Sequence, residues 1–228
     1  MAFECLADMK RIAFLFGSGI SRPAGAPGVC EITDALLNHG WQNDGNLRFS
    51  LDKNESVGIA RRAQVFLRIL KNYIDPHLQH RENRESHYED LFSAAEQILQ
   101  DERSEIVNPM ICGSVSEIQR LTENLYQGLE TDGCPNPFTF LVYSATLLIN
   151  WGIVNLLWPI EKPKGLEVLT SSAKEADQMD IFSLNHDLLI ECQLEQTKVA
   201  FSDGFSEIRQ RKLCVVMDTW SEMILLIH

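Results

Sequence analysis

The chain has 228 residues, of which 45% are apolar and 23% charged, a balance typical of one soluble globular domain and not of a disordered or fibrous chain. Its net charge of −12 opposes binding to phosphate backbones and anionic lipid, so we expect neither a nucleic-acid nor a membrane partner. The six cysteines form no C-x-x-C pair, which predicts a cytoplasmic protein with reduced thiols and no metal site.

The first predicted element is a strand over Arg11–Phe16, a short apolar run that ends at Gly17. Such a run is typical of a buried parallel strand that leads into a glycine turn. Apolar residues then recur at helical spacing over Glu31–His39, and Gly40 is a suitable stop. Strand, turn and helix together predict the opening βα unit of a doubly wound sheet.

From about residue 43 to about residue 150 the pattern becomes helical and contains no convincing strand. The predicted helices cover Val57–Ile74, Tyr88–Gln100, Val115–Leu129 and Phe138–Asn150. Ser86 and Glu89 have the spacing of a capping box at the start of the second of these helices. The apolar stretch that continues to Trp158 is interrupted by Asn and Pro, which indicates a buried helix and not a membrane span. We therefore expect a large helical insertion.

The C-terminal part of the sequence returns to short strands. A polar stretch, Glu161–Gln178, precedes a predicted strand over Met179–Leu184 and a helical run over Leu188–Glu195. Further strands are predicted at Lys198–Phe201, Leu213–Met217 and Met223–His228. The expected fold class is therefore α/β, a Rossmann-like parallel sheet with a large helical insertion.

Small residues cluster directly after the first predicted strand. They form two short blocks, Gly17-Ser18-Gly19-Ile20-Ser21 and Ala24-Gly25-Ala26-Pro27. Glycines at a strand end allow backbone N–H groups to approach a pyrophosphate. The ordinary dinucleotide fingerprint has a third glycine where this sequence has Arg22, so a classical dehydrogenase is disfavoured. A plain strand-to-helix turn is the competing interpretation.

These two blocks resemble the sirtuin signatures Gly-Ala-Gly-Ile-Ser and Ala-Gly-Ile-Pro. The block Ser183-Leu184-Asn185-His186-Asp187 resembles the second sirtuin signature, Thr-Gln-Asn-Ile-Asp. The resemblance implies an NAD site formed by Gly17, Ser18, Gly19, Ile20, Ser21, Ala24, Gly25, Pro27, Asn185 and Asp187. It implies that Asn185 and Asp187 lie beside the nicotinamide ribose, with Asn185 catalytic. An Asn-x-Asp turn that caps the helix from Leu188 is the competing interpretation.

The end of the chain resembles a third sirtuin feature, a catalytic His within Leu-His-Gly. Here the sequence is Leu225-Leu226-Ile227-His228, and the resemblance implies that His228 is a general base. The competing interpretation is a polar tail residue. Sirtuin deacylases have Phe-Arg shortly after the proline, whereas Pro27 is followed by Gly-Val-Cys-Glu. The helical insertion and its block Tyr88–Phe92 instead resemble the sirtuin-like domains of bacterial antiphage systems, which hydrolyse NAD.

The expectation is thus a sirtuin-like NAD-binding domain over residues 1–228, which continues beyond His228 in a complete protein. The expected activity is hydrolysis of NAD, as the substrate, to nicotinamide and ADP-ribose during antiphage defence. A homo-oligomer and a fused or associated defence effector or sensor domain are the expected partners. The alternatives are an NAD-dependent protein deacylase and a non-catalytic sensor of NAD or ADP-ribose.

Overall fold

The computed structural model describes residues 9–103, 112–129, 131, 136–158, 162–183, 188–202, 213–218 and 222–227. The described helices are α1 (Val29–Asn38), α2 (Gly58–Glu82), α3 (Tyr88–Arg103), α4 (Cys112–Tyr126), α5 (Pro137–Leu157), α6 (Glu167–Glu175) and α7 (Leu189–Gln196). A short 3-10 helix covers Ser18–Ala24. The described strands are β1 (Arg11–Phe16), β2 (Gly40–Asn43), β3 (Phe49–Asp52), β4 (Gln178–Ser183), β5 (Leu213–Asp218) and β6 (Glu222–Ile227).

Strands β1 and β4 form a two-stranded parallel sheet although the helical insertion separates them in the chain. The register runs from Arg11 opposite Gln178 to Phe16 opposite Ser183. Both predicted strands and their parallel pairing are confirmed, and the protein is of mixed α and β structure. The other described strands pair antiparallel, β2 with β3 and β5 with β6, so the described sheet is much smaller than a doubly wound sheet.

The two faces of the parallel pair have different surroundings. On one face Phe14, Phe16 and Ile181 pack against a small core formed by α6 and α7, which includes Leu169 and Leu189. Because strand side chains alternate between faces, the neighbouring residues point the other way.

The opposite face of the parallel pair is apolar but accessible. Leu15 is 75% exposed and Phe182 is 60% exposed, and these two residues are opposite each other in the register. Parallel sheets are ordinarily covered on both faces. This apolar pair therefore departs from the usual arrangement of a parallel sheet.

Most of the core lies in a helical body built around α5. Helix α5 begins at Pro137, with the side chain of Asn136 accepting the N–H of Phe138 at 3.0 Å, and it packs against α1, α2, α3, α4 and β3. Its length and composition would allow it to cross a membrane, but 61% of its most apolar window is buried. Among the described residues α5 is therefore the central helix of the main core, which agrees with the buried helix that the sequence predicted.

The crossing of α1 and α5 depends on one glycine. A Cβ built on Gly152 would overlap the side chain of Leu36 and lie 3.5 Å from the ring of Trp41. Leu36 and Trp41 are both completely buried. The backbones of α1 and α5 can approach this closely only because position 152 has no side chain.

Several features differ from the sequence predictions. The predicted absence of strands in the insertion is wrong at its start, where β2 and β3 form a hairpin. The polar stretch before β4 contains α6, and the predicted strand Lys198–Phe201 is irregular chain. Helix α1 has its main contacts with α2, α3 and α5, so it belongs to the helical body and does not follow β1 as a simple βα unit.

A further difference is the cap of α3. The N–H of His87 donates to the carboxylate of Asp90 at 2.9 Å, whereas the predicted cap residue Ser86 donates to Asp75 from its N–H at 2.7 Å and from its hydroxyl at 2.5 Å. The carboxylate that caps the helix is therefore that of Asp90, one residue later than the predicted Glu89. Hydrogen bonds from Arg84 hold the pKa of the Asp90 carboxyl below its usual value, which keeps the cap anionic.

We expect Gly152→Ala to destabilise the protein by about 1–3 kcal/mol, the usual cost of overpacking a filled core. The measurement is the free energy of unfolding from chemical denaturation. The matched control is Gly113→Ala in α4, where a Cβ would meet nothing within 4 Å and where alanine is the better helix former. Equal stabilities for the two variants would contradict the close packing of α1 on α5.

Candidate functional site

The parallel pairing brings the starts of two motifs to one edge of the sheet. Phe16 and Ser183 are opposite each other at the carboxyl ends of β1 and β4. The glycine segment begins at Gly17, directly after Phe16, and the second motif includes Ser183. In α/β proteins, ligands bind outside the carboxyl ends of parallel strands. Asn185, Asp187 and His228 lie outside the described residues.

Residues 17–28, the glycine segment, form a compact turn between β1 and α1, as the sequence predicted, and the short 3-10 helix lies within it. Gly17 is extended, and the N–H of Ile20 donates to its carbonyl at 3.1 Å. The 3-10 helix ends at Gly25, which has a φ of 90°. At that position the left-handed backbone itself requires glycine.

Gly17 and Gly19 have no such local explanation. Neither has a φ in the left-handed region, and a Cβ on either would meet nothing within 4 Å. Alanine would therefore fit at both positions in this structure. Exposed glycine backbone at the end of a parallel strand allows a ligand phosphate to approach the backbone N–H groups closely. The residues present therefore fit a pyrophosphate.

The remaining residues of the glycine segment hold it in place. Ile20 and Ala24 pack against the core formed by α6 and α7, whereas Ala26 is buried in the core of the helical body. Ser21 is 2% exposed, and Pro27 is half-buried. The segment thus contacts both cores, while Gly17 and Gly19 remain exposed to solvent.

An ion pair closes the glycine segment. The guanidinium of Arg22 donates to the carboxylate of Glu31 and, at 3.0 Å, to the carbonyl of Ala26. The same carboxylate accepts the N–H of Gly28 at 2.5 Å and so caps α1. The hydrogen bond from Arg22, with that from Gly28, holds the pKa of the Glu31 carboxyl below its usual value. The N-terminus of α1 already has an anionic partner in this arrangement.

Sequence reasoning missed the Arg22–Glu31 pair because it considered Arg22 only as a departure from a glycine pattern. The available signal was two opposite charges on either side of the second small-residue block. Both side chains are about half exposed. Arg22 is therefore a solvent-accessible cation within the glycine segment, and it is paired with Glu31.

The block around Tyr88 is structural in this arrangement. The N–H of Tyr88 donates to the hydroxyl of Thr33 in α1 at 2.9 Å. The hydroxyl of Tyr88 donates to the carboxylate of Glu89 at 3.1 Å. Burial, together with the charge of Glu89, raises the pKa of Tyr88 to about 12. These contacts attach α3 to α1, and Asp90 caps α3.

Within the described ranges there is no group of three His, Cys, Asp or Glu side chains that could hold a metal ion. The described cysteines Cys30, Cys112 and Cys192 are free thiols.

Comparisons with known proteins add no assignment. No family model, no curated protein and no solved structure matches the chain. The interpretation of the site therefore rests on its residues and on their positions in the fold.

Proposed function

We propose that this protein is an NAD hydrolase that cleaves the bond between nicotinamide and ribose to give nicotinamide and ADP-ribose. The observation that carries the proposal is the register of β1 and β4, because it puts the ends of the strands that lead into the two sirtuin-like motifs next to each other. Glycines at positions 17 and 19 that the fold does not need support the same proposal. A Rossmann-like arrangement of the sheet is part of this proposal.

In the proposed complex the pyrophosphate of NAD contacts the backbone N–H groups around Gly17 and Gly19. Asn185 and Asp187 hold the nicotinamide ribose, and Asn185 also orients the attacking water. The C1′–N bond breaks, its electron pair passes to the pyridinium nitrogen, and the water oxygen bonds to C1′. His228 accepts the proton of the water. The charge that develops on the ribose resembles that in glycoside hydrolysis, so positioning of ribose and water is the main source of rate.

The biological role that we propose is depletion of NAD in a phage-infected bacterial cell. It rests on the resemblance of the motifs and of the helical insertion to antiphage sirtuin-like domains. We also propose that the protein forms a homo-oligomer and acts with an associated effector or sensor domain.

Incubation of the full chain with NAD alone tests the activity. Release of nicotinamide and ADP-ribose without any peptide supports the hydrolase. A requirement for an acyl-lysine peptide would instead identify a deacylase, and saturable binding without turnover would identify a sensor. Either of these two results would contradict the proposal.

We expect Asn185→Ala to lower NAD turnover by about 100-fold or more, the effect of losing a group that positions a reacting water. Thermal stability should change little, because a polar residue after a strand contributes more to ligand contact than to a core. The measurements are NAD consumption and a thermal melt of the same preparation. Parallel losses of activity and melting temperature would favour the helix-cap interpretation of this block.

Gly19→Ala should raise the dissociation constant for NAD about tenfold, because its methyl group would hold the pyrophosphate away from the backbone. The open space at Gly19 predicts that the melting temperature stays the same. Isothermal titration calorimetry measures the affinity, and Gly113→Ala is the control in a helix remote from the sheet. Unchanged affinity in Gly19→Ala would remove the glycine segment from the site.

Arg22 and Glu31 should have opposite effects on the KM for NAD. Arg22→Ala should raise KM about tenfold by removing a charge-assisted contact to the pyrophosphate, with kcat little changed. Glu31→Gln should lower KM, because the guanidinium is then free to bind phosphate. Arg120→Ala is the control, since its exposed pair with Glu117 at 2.7 Å lies on α4. A KM that rises equally in both variants would show that the pair only supports the turn.

A further inference from the structure

A concave site lies in the helical body. It is a pocket of about 340 Å³ between the turn that joins β2 to β3 and the end of α5, and its volume is at the lower end of the range for small-molecule sites. The residues that define its chemistry are Asp44, Arg48, Phe49, Trp151, Asn155 and Trp158. None of them belongs to the glycine segment or to the proposed NAD site.

Aromatic side chains form the apolar wall of this pocket. Trp151 and Trp158 are seven residues apart, about two helical turns, so they lie on the same face of α5 and at its end. Phe49 closes the base and is 1% exposed, whereas Trp158 is 42% exposed. A large indole that stays accessible beside a fixed aromatic base offers a surface on which a planar ring can stack.

The polar groups of the pocket are fixed by hydrogen bonds that leave specific atoms available. The carboxylate of Asp44 accepts the N–H of Asn46 at 2.9 Å and that of Arg48 at 3.3 Å, which shapes the turn. The amide nitrogen of Asn155 donates to the carbonyls of Phe49 at 3.1 Å and Trp151 at 2.7 Å. Both N–H groups of Asn155 are therefore used, and Oδ1 is its acceptor for a further partner.

Arg48 supplies the charge. Its exposed guanidinium has no ion pair or hydrogen bond within the part of the chain that the structure describes. Asp44 and Arg48 share one turn but form no ion pair with each other in that part. The pocket thus combines an unpaired cation with aromatic faces and with oxygen acceptors from Asp44 and Asn155.

We propose that this pocket binds a nucleoside monophosphate. Its base stacks on Trp158, its phosphate contacts Arg48, and the donors of its base or ribose contact Asn155 and Asp44. Aromatic side chains bind bases by stacking, and the guanidinium group of arginine binds phosphate with two hydrogen bonds. The inference is independent of the proposed NAD hydrolysis, because it uses other residues on other elements.

The test is titration of the full chain with AMP, GMP, CMP and UMP. Intrinsic tryptophan fluorescence and calorimetry measure the binding. Adenosine and inorganic phosphate are the comparison ligands. We expect at least one monophosphate to bind with a dissociation constant below about 1 mM and about tenfold more tightly than either comparison ligand. Binding by none of the four, or equal binding of adenosine and AMP, would overturn the proposal.

Variants separate this pocket from the proposed NAD site. Arg48→Ala and Trp158→Ala should each weaken monophosphate binding about tenfold, whereas the control Arg81→Ala, an exposed arginine in the last turn of α2, should not. Melting temperatures establish that each variant is folded. Gly19→Ala should leave monophosphate binding intact. Binding that is lost in Gly19→Ala but kept in both pocket variants would assign the ligand to the glycine segment and overturn the inference.

Discussion

The parallel pairing of β1 with β4 is the constraint on which the candidate site depends. A parallel connection requires a crossover, and here that crossover contains the whole helical body. Because the strands are aligned from Arg11 opposite Gln178 to Phe16 opposite Ser183, both motifs begin at the same edge. A shift of the register by one residue would turn Phe14 and Phe16 away from the core under the sheet and would also displace one motif relative to the other.

Close packing in the helical body holds the glycine segment in position. Helix α5 contacts every described helix from α1 to α4, and Gly152 allows α1 to lie directly against it. Helix α1 in turn ends the glycine segment, with Glu31 joined both to Gly28 and to Arg22. The position of the open glycines therefore depends on contacts made in a core that takes no part in the proposed chemistry.

The sequence predictions succeeded where a long periodic pattern existed. They failed where an element was too short for a pattern or where a residue of another element made the contact that fixed the structure. Helices α2 to α5 follow from their apolar spacing. The hairpin of β2 and β3 was missed because its strands have four residues each, too few for a clear alternation. The cap of α3 was displaced by one residue because Asp75, on the preceding helix, binds Ser86, and no local pattern contains that contact.

The sequence by itself determined the apolar strands, the small residues after β1 and the composition of the second motif, because these depend on local backbone preferences and on side-chain chemistry. Tertiary structure alone decided that β1 and β4 are neighbours, that α1 packs in the helical body and that Arg22 pairs with Glu31 across the glycine segment. Each of these results depends on the free energy of contacts between residues far apart in the chain or in different elements. Such contacts leave no periodic signal in the order of the residues.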